Sequence, residues 1–158
     1  MRFVPKTRPR RYQAEALKRA FACNGRYGLF LEPGTGKTKI AIDFASALFL
    51  QGKAKTVLVI CQLSGHVVWR EQLELHCPVP YQLEMLLGGS TAKASALKAL
   101  RLNGTTLTFV LINYESLWRI EQSILSFAPD ILVCDEGHKL KNRTAKQSRA
   151  VHRLVQKL

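Results

Sequence analysis

The chain has 158 residues, 47% of them hydrophobic, and a formal net charge of +13. That length and apolar content suit one folded domain with its own core and exclude a disordered tail. The charge points to a polyanionic partner, most simply nucleic acid. No apolar run reaches the length of a bilayer span, and the start, Met1-Arg2-Phe3-Val4-Pro5-Lys6, lacks the apolar centre of a secretory leader. Four scattered cysteines, Cys23, Cys61, Cys77 and Cys134, form no C-x-x-C pair, so they read as reduced core or near-core thiols rather than zinc ligands.

In chain order, Tyr12 to Cys23 reads as a helix with Leu17 and Phe21 on one face, and Tyr27 to Leu31 as a short apolar strand. Gly36 to Gln51 is a helix by the spacing of Ile40, Phe44 and Leu48, and Gly52 stops it. Thr56 to Cys61 is a strand of the buried type. Gly65 to His76 is a helix closed by Pro78 and Pro80, and Gln82 to Leu87 is a strand. Ser90 or Thr91 can cap a helix running to about Leu102. A strand over Thr106 to Ile112, a helix over Tyr114 to Leu125 and a strand over Ile131 to Cys134 follow; Thr144 to Leu158 closes the chain as a helix. Strands alternating with helices predict an α/β fold: a mostly parallel central sheet flanked by helices on both faces.

Two segments carry chemistry. Gly34-Thr35-Gly36-Lys37-Thr38 lies between a predicted strand and a predicted helix. Its glycines permit the backbone angles that aim loop amides at phosphate oxygens, Lys37 supplies charge for the β- and γ-phosphates, and the Thr38 hydroxyl is a magnesium ligand. Leu31 stands where the strict P-loop pattern begins with glycine, so the match rests on the second half of the motif. Asp135-Glu136 follows the last predicted strand. Asp135 would hold magnesium and Glu136 would polarise the attacking water. The cofactors predicted are therefore ATP and Mg2+.

The basic charge is blocked at both ends. Residues 1–14 carry Arg2, Lys6, Arg8, Arg10 and Arg11 and no acid; residues 137–158 carry Lys139, Lys141, Arg143, Lys146, Arg149, Arg153 and Lys157 and no acid. One-signed blocks of this kind are commonly interaction surfaces. Trp69 and Trp118 sit at apolar helical spacing and are expected in the core.

These motifs resemble the first, RecA-like motor lobe of superfamily-two helicases and translocases, and within it the Swi/Snf-type group. Pro9-Arg10-Arg11-Tyr12-Gln13 resembles the Q-motif, and Gly34-Thr35-Gly36-Lys37-Thr38 resembles motif I. Val59-Ile60-Cys61-Gln62-Leu63-Ser64 with Trp69 and Glu71 resembles motif Ia, and Ile112-Asn113-Tyr114-Glu115 motif Ib. Asp135-Glu136-Gly137-His138-Lys139-Leu140-Lys141-Asn142 is similar to the group's motif II. The resemblance implies a three-layer P-loop NTPase fold over residues 1–158, with Gln13 reading the adenine edge and Arg10 beside it. It also implies a coupling role for His138, and backbone contacts to double-stranded DNA from Ser64, His66 and Asn113; Ser64 and Asn113 read equally well as helix caps. Nothing after Asn142 resembles motif III or the second lobe with its arginine finger. The expectation is thus the first half of a DNA-dependent ATPase and translocase, joined to a second lobe in the same or another chain, with no membrane partner. Its place would be a bacterial or phage-infected cytoplasm or a nucleus, not outside the cell. A DEAD-box-like or restriction-type lobe acting on RNA or single strands, and a stand-alone regulatory module binding nucleotide or DNA, are the alternatives.

Overall fold

The computed structural model describes residues 3–23, 26–29, 31–32 and 34–157. Its centre is a four-stranded sheet in the order β2-β3-β1-β4, with every neighbouring pair parallel. β1 (Thr56–Cys61) is buried at every residue and β3 (Leu107–Asn113) at all but Asn113, because both are interior strands covered on two faces. The edge strands β2 (Tyr81–Met85) and β4 (Ile131–Cys134) are only partly buried.

Strand alternation divides the core into two layers. Val57, Val59 and Cys61 of β1, with Leu107, Phe109 and Leu111 of β3, face α2 (Lys37–Leu50) and α3 (Gly65–His76) through Ile42, Ala45, Trp69 and Leu73. Leu58, Ile60, Val110 and Ile112 face the other way. They meet α4 (Ser90–Ala99), α5 (Tyr114–Leu117), α6 (Glu121–Phe127) and α7 (Lys146–Lys157). The result is the three-layer architecture expected. α1 (Arg11–Ala22) lies outside α2, with the Phe21 and Phe44 ring centroids 4.8 Å apart. Ahead of α1, the Lys6 ammonium donates to the Glu74 carbonyl at the end of α3 (2.6 Å), which suits a cation at a helix C-terminus.

Several sequence expectations change. The strand expected over Tyr27 to Leu31 is not formed at the described residues 27–29 and 31, and Phe30 lies outside them. Gly28 weakens so short a strand from within, and the Leu31 carbonyl is occupied by the Lys37 ammonium rather than by a sheet neighbour. The helix expected from Tyr114 to Leu125 is divided into α5 and α6, because Ile120 turns inward to the core and Glu121 begins a new helix. The helix expected to reach Leu102 ends at Ala99, and Leu100 is extended. The last helix begins at Lys146, and Leu158 lies outside the described residues.

β4 is set in register by a side chain at its entrance. Asp130 Oδ2 accepts hydrogen bonds from the Lys55 and Thr56 amides (2.8 and 2.9 Å) and from the Thr56 hydroxyl (2.8 Å). At its exit, the Asp135 amide donates to the Ile60 carbonyl (2.8 Å), so the ladder carries on into the acidic motif. On the opposite layer, Arg153 of α7 grips Glu121 of α6 with two bonds of 2.6 Å. That pairing holds the Glu121 carboxyl below its ordinary value of 4.5. A depressed carboxyl stabilises the fold above its unfolded value and loses that contribution as pH falls through the folded one. Arg153→Ala should therefore lower the melting temperature at pH 7 and match the parent chain near pH 3, as thermal melts across that range would read.

Candidate nucleotide and nucleic-acid site

Because all the described strands are parallel, their C-terminal ends lie along one edge of the sheet. β1 leads there to Ser64, β3 ends at Asn113, and β4 leads to Asp135 and Glu136. This edge is where open α/β sheets bind ligands.

The glycine loop enters α2 with Gly34 at φ 77° and Gly36 at φ 81°, both left-handed. Gly36 stands at the cap position of α2, so the unsatisfied first amides of the helix open onto the loop. The Thr35 hydroxyl donates to the Glu32 carbonyl (2.7 Å), and the Lys37 ammonium donates to the carbonyls of Leu31 (2.9 Å) and Glu32 (3.1 Å). Lys37 is thus folded back on its own loop, its charge held by dipoles that phosphate oxygens can replace. Pro33 lies outside the described residues.

Two side chains of α1 secure this loop. Gln13 Nε2 donates to the Thr35 carbonyl (3.0 Å), and the Tyr12 hydroxyl donates to the same oxygen (2.9 Å). Gln13 Oε1 accepts from the Arg10 amide (2.9 Å), so a single amide ties the start of α1 to the loop. A Cβ at Gly36 would stand 2.5 Å from Gln13 Nε2, so a side chain there would displace the Gln13 amide, and the left-handed φ by itself favours glycine. The Arg10 side chain is exposed beside this tie, with Nη1 3.5 Å from the Tyr12 hydroxyl.

Asp135 is held on several sides. Its Oδ2 accepts from the Trp69 indole N–H (2.9 Å), its Oδ1 from the Glu136 amide (3.0 Å), and its carbonyl from the Tyr114 hydroxyl (2.6 Å). Glu136 has φ 56°, a left-handed conformation that a non-glycine residue adopts at a cost and that clusters at functional sites. Its Oε2 lies 3.1 Å from His138 Nδ1, at the start of a short 3-10 helix over Gly137–Leu140. Burial, aided by the Asp135 charge, pushes the Cys61 thiol up to about 12, and burial pushes Cys134 up to about 11. Both are therefore neutral, unreactive thiols, in keeping with the sequence reading.

The DNA-contact candidates do not fare alike. Ser64 is exposed and makes no side-chain cap bond to α3. Asn113 makes no cap bond to α5; its Oδ1 accepts from the Lys93 ammonium, and its Nδ2 donates to Glu115 Oε2 (2.8 Å). His66 is a correction. It is 3% exposed, both ring nitrogens are buried, and neither has a partner among the described residues, so it cannot reach a phosphate backbone. Burial, with Lys93 nearby, lowers its pKa and keeps it neutral. Lys93 itself, not singled out in the sequence, is 4% exposed and also donates to the Ser116 hydroxyl (2.7 Å). Its signal was its place four residues before buried Leu97 on one helix face. Trp118, expected in the core, is half-buried, with Lys146 Nζ 4.5 Å and the Arg119 guanidinium 5.1 Å from its ring centre. Among the described residues no hydrogen bond or ion pair joins the glycine loop to Asp135 or Glu136; α2 and α3, packed side by side, connect them.

A family model for the SNF2-related domain matches residues 12–157. The chain belongs to the SNF2-related domain family. Among curated relatives, this SNF2-related domain is 31% identical over 160 residues to the Chromodomain-helicase-DNA-binding protein 1-like of Mus musculus, covering 94% of the chain and 17% of that protein. It is 26% identical over 164 residues to the DNA repair and recombination protein RAD54B of Gallus gallus, covering 92% and 17%. In fold it is similar to the Sulfolobus solfataricus SWI2/SNF2 ATPase core in complex with dsDNA, with a TM-score of 0.73 and 22% identity over 96% of this chain and 31% of that one. That likeness establishes the RecA-like fold. The SNF2-related domain spans about a sixth of the length of those two curated relatives.

Proposed function

We propose that residues 1–158 form the N-terminal ATP-binding lobe of a DNA-dependent ATPase of the Swi/Snf type, which moves along duplex DNA when joined to its second lobe. The observation that carries this reading is the occurrence of both the Gly34–Thr38 loop and the Asp135–Glu136 turn in one SNF2-related domain. Loop amides and Lys37 would hold the triphosphate, and Gln13 and Arg10 would stand at the base. The residues fit magnesium. The Thr38 hydroxyl makes no hydrogen bond among the described residues, and each Asp135 carboxylate oxygen accepts only one, leaving lone pairs free. No group of three His, Cys, Asp or Glu side chains suited to a metal occurs among the described residues, which agrees with an ion held by one carboxylate, one hydroxyl and the phosphates. When bound, magnesium neutralises phosphate charge. Glu136 would orient the attacking water, and His138, within reach of its carboxylate, would relay changes at the duplex face.

Ser64 and Asn113 would meet the DNA backbone, supported by exposed Lys139, Lys141 and Arg143 just after the acidic turn. Contacts to phosphates position a duplex without reading its sequence, and binding should fall steeply with salt. Acting on DNA, the protein would work in a bacterial or phage-infected cytoplasm or in a nucleus. An arginine finger is worth roughly 10³ to 10⁵ in rate, and it would come from the second lobe. The chain alone should therefore bind duplex DNA in a salt-sensitive way yet show no turnover that Lys37→Ala abolishes. Lys37-dependent, DNA-stimulated hydrolysis by the isolated chain would refute the half-motor reading, and salt-insensitive or absent duplex binding would refute the DNA assignment.

A further inference from the structure

Asp135 closes a strand of partly buried residues, yet its side chain and carbonyl are gripped by two of the most deeply buried aromatic residues in the domain. Trp69 is 1% exposed and Tyr114 is 2% exposed. A buried indole or phenol needs a partner for its N–H or O–H, and each of these finds it on Asp135. The two donors act on different atoms. Trp69 takes one carboxylate oxygen and so fixes the rotation of the carboxylate plane. Tyr114 takes the main-chain carbonyl and so fixes where the strand ends, just before Glu136 enters its left-handed conformation.

The elements that carry these aromatics matter as much. Trp69 stands on α3 one helical turn after its start, where Ser64 is exposed. Tyr114 directly follows Asn113, whose amide is clamped between Lys93 and Glu115. The side chains proposed to touch DNA are therefore joined to Asp135 by rigid, packed elements, each ending in one hydrogen bond.

We infer that Trp69 and Tyr114 are positioning residues for the magnesium carboxylate. The inference rests on the reading of Asp135 as the magnesium ligand, so the experiment separates the two. Binding of a fluorescent ATP analogue would be titrated on the full chain with magnesium and with excess EDTA, and the ratio of the two affinities taken as the magnesium gain. Asp135→Asn should abolish the gain. Trp69→Phe keeps a ring in the core but removes the N–H, and Tyr114→Phe removes only the hydroxyl. Each should cut the gain roughly ten- to hundredfold, the range for losing an outer-shell partner of a metal ligand, and leave the EDTA affinity unchanged. A merely structural role would lower both affinities together.

A second readout does not depend on nucleotide. In a Trp118→Phe chain, Trp69 is the single indole, and its N–H should exchange slowly with solvent and shift in NMR spectra when Asp135→Asn is added. Loss of the gain in Asp135→Asn with a full gain in both aromatic variants would overturn the inference and leave the ATPase reading standing. No gain in the parent chain, or a gain that survives Asp135→Asn, would remove the reading and the inference with it.

Discussion

Lys39→Met should destabilise the domain by about 3–5 kcal/mol, the cost of breaking a buried ion pair by removing one partner. Lys39 and Asp43 stand one turn apart on α2, with side chains 5% and 3% exposed, and the ammonium donates to Asp43 Oδ2. The other oxygen, Asp43 Oδ1, is buried with no partner among the described residues. Burial raises the Asp43 carboxyl above its ordinary 3.8, and the Lys39 charge and hydrogen bond work against that rise. Without Lys39 the opposing pull is gone and the carboxyl rises further. A raised carboxyl keeps its stability below the unfolded value and loses it as pH climbs through the folded one. The Lys39→Met penalty should therefore be small near pH 4 and full at pH 8, which denaturant unfolding at the two pH values would read. Replacing both partners, Lys39→Met with Asp43→Leu, should recover most of the loss, because a well-packed apolar pair needs no desolvation. A single variant as stable as the parent at pH 8 would mean that the pair is not buried in solution. The pair also bears on the site, since α2 carries the glycine loop at its head and presents Ile42 and Ala45 to the core shared with Trp69.

The motifs that depend on adjacent residues were legible in the sequence. Gly34 to Thr38 and Asp135 to His138 are contiguous, and their neighbours announce a helix start and a strand end. The sheet was legible too, since Thr56 to Cys61 is an unbroken run of strand formers, as a strand covered on both faces must be. What was not legible is what joins distant segments. Trp69 and Asp135 are 66 residues apart, and no spacing rule pairs them. The buried indole needed an acceptor, but the sequence does not say which. Lys39 and Asp43 show a second limit of spacing rules. Their i, i+4 spacing is that of an exposed helical pair, while the apolar residues around them mark α2 as buried on most sides. His66 failed as a DNA contact for a similar reason: the resemblance implied it from its place just after the motif Ia segment, whereas helical phase turns it inward with Trp69 and Leu73. The strand over Tyr27 to Leu31 was expected from apolar content alone, and apolar content does not supply a pairing partner.

Gly36→Ala should weaken ATP binding by more than a hundredfold, and Gly34→Ala by much less; the difference between them isolates the role of Gln13. Both glycines have left-handed φ values, 81° and 77°, so either alanine pays about 1–2 kcal/mol of backbone strain. For Gly34 that is all, since among the described residues nothing lies within 4 Å of an added Cβ. When the free loop relaxes to relieve that strain and takes it up again on binding, the strain converts to at most roughly a five- to thirtyfold loss. At Gly36 the new methyl would also collide with Gln13 Nε2 at 2.5 Å. Gln13 cannot simply rotate away, because its other end holds the Arg10 amide and its Nε2 holds the Thr35 carbonyl. Relief requires that the tie break, releasing the loop from α1 and moving the amide proposed to read the base. Adding Gln13→Ala to Gly36→Ala removes the collision but not the strain. If the collision alone explains the excess, the double variant returns to the affinity of Gly34→Ala for every nucleoside triphosphate. If Gln13 also reads adenine, ATP affinity stays low in the double variant and falls to the level of GTP. Titrating the four chains with fluorescent ATP and GTP analogues distinguishes these results. Equal losses in the two single alanine variants would show that Gln13 does not press on the loop, and that the glycines serve backbone conformation alone.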